Sequence, residues 1–124
     1  MGKRILVVDD EPDVVTYLST VLKDHGYETL EAYDGEEALQ KVLQDKPDLV
    51  TLDITMPEMT GVRAYRMMKE DAALRRIPVI IVTGISHDFQ KFISSRPRVP
   101  PPEGYLEKPI QPEDLLAEVK RLLG

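Results

Sequence analysis

Four groups of residues in this chain could do chemistry: the acidic pair Asp9-Asp10, a lone Asp53, Thr83, and the dipeptide Lys108-Pro109. Each stands at the end of a short run of strand-favouring character. Ile5 to Val8 leads into Asp9, Leu49 to Leu52 into Asp53, Val79 to Val82 into Thr83, and Gly104 to Glu107 into Lys108. Short runs of this kind, alternating with helical patterns, read as parallel strands joined by crossover helices. In open sheets of that class, ligands bind beyond the carboxyl ends of the strands. The spacing therefore brings three carboxylates, a hydroxyl and an ammonium to one edge.

Two like charges about 4 Å apart repel by roughly 4 kcal/mol at an effective dielectric of about 20. Three carboxylates facing one lysine leave a surplus of negative charge, so the cluster either takes up protons or recruits a divalent cation. Oxygen ligands with no Cys or His beside them favour Mg²⁺, which keeps several waters and shares itself with phosphate. An aspartate beside Mg²⁺, a lysine and a hydroxyl is suited to accept a phosphoryl group as an aspartyl-phosphate. The positive groups would neutralise charge on the transferred group.

The elements that must position these residues follow from periodicity. Arg4–Val8 reads as a first strand. Pro12 opens a helix with Val14, Leu18, Val21 and Leu22 on one face and a stop at Gly26. Tyr27–Ala32 reads as an edge strand. A second helix follows Gly35, with Ala38, Leu39, Val42 and Leu43 inward, and closes before Pro47. Leu49–Leu52 is almost wholly apolar, as a central strand covered on both faces should be. A third helix runs from Gly61 to about Leu74, and Pro78 opens the fourth strand. After Gly84 a short helix is expected over Ser86–Ser95, with Phe89, Phe92 and Ile93 at helical spacing. Arg96–Pro102 then reads as an extended, polyproline-like loop. Pro112 starts a last helix with Leu115, Leu116, Val119, Leu122 and Leu123 inward.

Composition narrows the class without choosing the function. A chain of 124 residues, 42% hydrophobic and 31% charged, reads as one soluble globular domain. Its net charge of −6 argues against nucleic-acid binding by this segment, which would need a basic patch. With no cysteine there is no disulfide or thiol chemistry, as suits a reducing cytoplasm. No apolar run approaches the roughly 18 residues that suggest a bilayer span, and residues 1–8 lack the apolar region of a secretory signal.

Four pieces follow one another in order: Ile5 to Glu11, Asp53 through Pro57 to Gly61, Ile80 to Gly84, and Gly104 to Pro109. On these pieces nearly the whole chain resembles the receiver domain of bacterial two-component response regulators. The resemblance implies an α/β fold, one domain over 1–124, with a doubly wound five-stranded parallel sheet in the flavodoxin-like order 2-1-3-4-5. Helices would cover both faces. A shortened or irregular fourth helix, followed by the Pro-rich loop, would depart from the usual receiver.

It also implies a function: a phosphorylation-activated switch in a histidine-to-aspartate phosphorelay, promoting only its own phosphorylation and dephosphorylation. Asp53 would be the phosphoacceptor. Asp10 and Asp53 would ligate Mg²⁺ directly, with the Thr55 backbone carbonyl, and Asp9 through a bound water. Lys108, Thr83 and the Gly84 N–H would bind phosphoryl oxygens, and Tyr105 would turn inward as Thr83 moves. The bond before Pro109 would be cis. Thr55 and Ile85 would flank the path of the hydrolytic water without orienting it, so the phosphoryl group should be long-lived. The implied partners are a sensor histidine kinase or histidine phosphotransfer protein, and a downstream protein target or an output domain outside this chain. A homodimer formed on phosphorylation is implied as well. Neither nucleic acid nor membrane is expected to bind this segment, and the cytoplasm is the expected compartment.

Other readings of the same residues stand beside these. The triplet Asp9–Glu11 could cap the helix that Pro12 opens, a role compatible with metal binding. His25 reads as a helix-end cation and His87 as a loop residue. The rival function is a phosphorylation-independent, receiver-like protein-binding module, favoured by the altered stretch after Gly84 and opposed by the complete polar set. A Mg²⁺-dependent phosphohydrolase of the haloacid-dehalogenase type would want a second aspartate two residues after the first, where this chain has Thr55.

Overall fold

Five short strands alternate with helices in a computed structural model that describes residues 2–56, 60–84 and 102–124, with Thr60 described by its backbone alone. The strands are β1 (Arg4–Val8), β2 (Glu28–Ala32), β3 (Leu49–Asp53), β4 (Val79–Thr83) and β5 (Gly104–Glu107). All pair in parallel, in the order β2-β1-β3-β4-β5. The described helices are α1 (Pro12–Asp24), α2 (Gly35–Asp45), α3 (Thr60–Glu70) and the chain-closing α4 (Pro112–Leu123). The expected sheet order is therefore the observed one. The short helix expected over 86–95, the loop from Arg96 to Pro101, and Pro57, Ile85 and His87 lie outside the described residues.

Side chains alternate across each strand, and the sheet is apolar on both sides. Leu6, Val8, Val50, Leu52 and Ile81 face one core with Ala38 and Val42 of α2 and Tyr65 and Met68 of α3. Ile5, Val7, Leu49, Ile80 and Val82 face the other, with Val15, Leu18 and Leu22 of α1 and Leu115 and Val119 of α4. Burying each such aliphatic side chain contributes about 1.5–3 kcal/mol. The central strands β3 and β4 are buried at every position, which explains their largely apolar sequence, with Thr51, Asp53 and Thr83 the buried polar exceptions.

Several boundaries and faces differ from the periodic reading. On α1 the buried apolar positions are Val15, Leu18 and Leu22, with Ser19 buried beside them, while Val14 and Val21 flank them half-buried. Leu43 is 57% exposed rather than inward. At about 100° per residue it falls outside the arc of Ala38 and Val42. The third helix stops at Glu70, not near Leu74. Asp71 ends it: its Oδ1 accepts the N–H groups of Ala73 at 2.7 Å and Leu74 at 3.1 Å, offering the backbone a turn in place of another helical turn. β2 starts at Glu28 rather than Tyr27, and β3 and β4 each run one residue further, taking in Asp53 and Thr83.

Candidate functional site

Register sets the site. Val8 pairs with Leu52, Asp53 with Val82, and Thr83 with Glu107, so Asp9, Asp53, Thr83 and Lys108 leave adjacent strands at the same edge. Backbone bonds continue the ladders past the strand ends. The N–H of Asp9 donates to Ala32 O at 3.2 Å, that of Ile54 to Val82 O at 3.2 Å, and that of Lys108 to Thr83 O at 2.9 Å.

Three carboxylates, those of Asp9, Asp10 and Asp53, offer oxygens that all lie within 4.8 Å of one another. Asp9 and Asp53 are buried, each 1% exposed, whereas Asp10 faces solvent. Lys108 Nζ reaches between the buried pair, 3.0 Å from Asp9 Oδ2 and 3.3 Å from Asp53 Oδ2. Asp9 Oδ1 accepts the Glu11 N–H at 3.0 Å. Asp53 Oδ1 accepts both the N–H of Thr55, at 2.8 Å, and its hydroxyl, at 2.7 Å.

Burial pushes the Asp9 carboxyl up from 3.8 to about 6. The Glu11 N–H and Lys108 pull against that rise, and the Asp53 charge adds to it. For Lys108, burial alone would disfavour the ammonium, but the hydrogen bond to Asp9 and the charges of Asp53 and Asp9 outweigh it and hold the group above its usual value. One ammonium between two buried carboxylates leaves the centre short of positive charge.

The acidic triplet does not cap α1. Glu11 occupies the N-cap position and makes no side-chain cap bond, while Asp9 and Asp10 belong to the carboxylate cluster. His25 does sit at the C-terminal end of α1, with Nδ1 3.0 Å from Val21 O. Thr83 is fully buried and Gly84 exposed just beyond it. Tyr105 is half-buried against the core on the α2–α3 side, where burial first and Glu107 second raise its hydroxyl pKa. The peptide bond between Lys108 and Pro109 is cis.

Two contributions were not legible beforehand. The Thr55 hydroxyl ties down Asp53, a use that the i, i+2 spacing of an Asx-type turn could have signalled. Gly61, at the first turn of α3, meets the backbone of Asp53 so closely that a Cβ there would overlap the Asp53 carbonyl oxygen. A family model described as the response regulator receiver domain matches residues 5–120.

The chain belongs to that family. This receiver is 38% identical to the protein PilH of Pseudomonas aeruginosa, over 98% of each chain. It is 35% identical to the alkaline phosphatase synthesis transcriptional regulatory protein PhoP of Bacillus subtilis over 99% of its own length, but spans only 49% of that relative. Among solved structures it resembles the chemotaxis response regulator CheY4 of Vibrio cholerae, with a TM-score of 0.84, 29% identity, and coverage of 98% of this chain and 99% of that one. No described helix of the receiver is long and apolar enough to cross a membrane.

The carboxylate cluster fits a hard divalent cation. Its donors are all oxygen, and Asp9 Oδ2 is buried without a well-angled hydrogen bond among the described residues, its neighbour being the Lys108 ammonium. Clustered carboxylates with a lone pair to spare suit Mg²⁺, which takes a few protein oxygens and completes its shell with water and phosphate.

Proposed function

We propose that this receiver is a phosphorylation-activated switch that accepts a phosphoryl group on Asp53 from a histidine kinase or histidine phosphotransfer protein. The observation that carries the reading is the setting of Asp53: buried at a strand end, one oxygen fixed by Thr55, the other 3.3 Å from Lys108, with Asp9 and Asp10 alongside.

An Asp53 oxygen attacks the phosphorus of the partner's phosphohistidine. The P–O bond of an acyl phosphate forms as the P–N bond breaks, and the electron pair returns to the imidazole, which takes up a proton. Thr55 holds the carboxylate in place for that attack. Asp10, Asp53, the Thr55 carbonyl and, through water, Asp9 would hold Mg²⁺, which would supply positive charge to phosphoryl oxygens. Lys108 leaves its carboxylate partners to pair with one phosphoryl oxygen, while Thr83 Oγ1 and the Gly84 N–H take others. Phosphorylation adds roughly −1 to −2 charge, and the accompanying shift of Thr83 and Tyr105 carries that local change to the surface.

On this reading, residues 1–124 act as one receiver in the cytoplasm, with output passing to a downstream protein, to a further domain, or through a phosphorylation-dependent homodimer. Incubation with Mg²⁺ and a small acyl phosphate tests it. Stoichiometric labelling supports the switch. Absence of labelling favours a binding module, and steady release of inorganic phosphate without a labelled protein favours a hydrolase.

A further inference from the structure

Lys69 is a buried basic residue at the opposite end of the sheet from the carboxylates, with no part in the pocket. Its Nζ lies 2.7 and 2.8 Å from the two carboxylate oxygens of Glu103. The carbonyls of Arg75 and Ile77 stand 3.4 Å away, and the Tyr65 ring centroid 5.9 Å. Glu103 Oε1 also accepts the N–H of Val79, the first residue of β4, at 2.7 Å. The Glu103 carbonyl accepts from Arg121 of α4 at 2.8 Å. One residue thus ties α3, β4 and α4 to the start of β5.

The need for such a tie follows from β5 itself. It is four residues long and lies at the sheet edge, so β4 is its one strand neighbour. A slip of one residue in a short strand turns every side chain to the wrong face and moves the strand end by about 3.3 Å. Pro100, Pro101 and Pro102, just before Glu103, have no N–H with which to hold the chain. The pair is buried at its Lys69 end, while the Glu103 side chain is 35% exposed. Such a pair is a weak source of stability, but it can favour one register over its neighbours. Gly104 fits the same corner: a Cβ there would stand 2.6 Å from Glu118 Oε2 and 3.0 Å from Ile80 Cγ1.

We propose that Glu103, gripped by Lys69, is a positioning residue that sets the register of β5 and thereby delivers Lys108 to Asp9 and Asp53. The kinetic part of its test rests on the phosphoacceptor reading. Glu103→Ala and Lys69→Met are compared with Lys108→Ala by the rate of labelling with acetyl phosphate and Mg²⁺. Nitrogen-15 spectra of the β5 amides and the Lys108 ammonium are recorded alongside. Each clamp variant should label about tenfold more slowly or worse, since small misplacements cost that much. Mg²⁺ affinity, set by carboxylates at the ends of β1 and β3, should stay near the parent's. Adding Glu103→Ala to Lys108→Ala should slow labelling no further. Folded clamp variants that label at the parent's rate, or losses that multiply in the double variant, would overturn the proposal. A parent that does not label refutes the phosphoacceptor reading alone. The clamp is then judged by the spectra: a shifted Lys108 signal and weakened protection of β5 support it, and unchanged spectra overturn it. Should Glu103→Ala not fold, Glu103→Gln, which keeps an acceptor for Val79, is held to the same criteria.

Discussion

Gly61 lies directly over Asp53, with no room between them for a side chain. A Cβ at position 61 would overlap the Asp53 carbonyl oxygen and come within 3.0 Å of Ile54 Cα. Both obstacles are backbone, so neither can swing aside.

Substituting Gly61 therefore separates two effects of opposite sign. Alanine in an ordinary helix is favoured over glycine by up to about 1 kcal/mol. Here overpacking should win and Gly61→Ala should lose about 1–3 kcal/mol of stability. Urea unfolding checks this. A stabilised variant would show that α3 moves off the Asp53 loop without strain.

Asp9 should make metal-free stability fall with rising pH. Its carboxyl holds a proton more tightly when folded, at about 6 against 3.8. Its contribution is therefore full below about pH 4 and is lost as pH rises through 6, a span worth about 3 kcal/mol. Asp9→Asn should remove that slope and be the more stable protein at neutral pH in a chelator. Denaturation at several pH values measures it; an unchanged slope in the variant would place the dependence elsewhere.

Mg²⁺ should offset the same repulsion by binding the folded state alone. At ten times its dissociation constant it should add about 1.4 kcal/mol. Asp10→Asn should weaken this response and, without metal, melt above the parent. Melting curves against Mg²⁺ concentration are the check, and a parent whose melting temperature ignores Mg²⁺ would argue against a metal site.

Strand runs were legible because a strand buried on both faces is largely apolar, as Val79–Val82 is throughout and Leu49–Leu52 is but for Thr51. Strand order then brought Asp9, Asp53 and Lys108 together without any contact being known. Periodicity was blind to side chains that act on backbone. Asp71 ended α3 early, and Thr55 fastened Asp53, through hydrogen bonds that no hydrophobic pattern encodes. It was blind too to Lys69 and Glu103, whose partnership spans 34 positions and joins elements that meet through the fold.

The phosphorylated form should be long-lived. The Thr55 hydroxyl is engaged with Asp53 at 2.7 Å, and the residue carries no amide or carboxylate to orient an attacking water. Thr55→Asn, alone or with Ile85→Glu, should hasten loss of the label. A parent that loses it within seconds at neutral pH, or variants no faster than the parent, would contradict this.

The most direct test is where the phosphoryl group goes. After incubation with Mg²⁺ and acetyl phosphate, borohydride reduces an acyl phosphate to an alcohol, which peptide mass spectrometry can locate. The account predicts one such conversion, at Asp53, and none in Asp53→Asn. Conversion at another carboxylate in the parent, or undiminished labelling of Asp53→Asn, would contradict it.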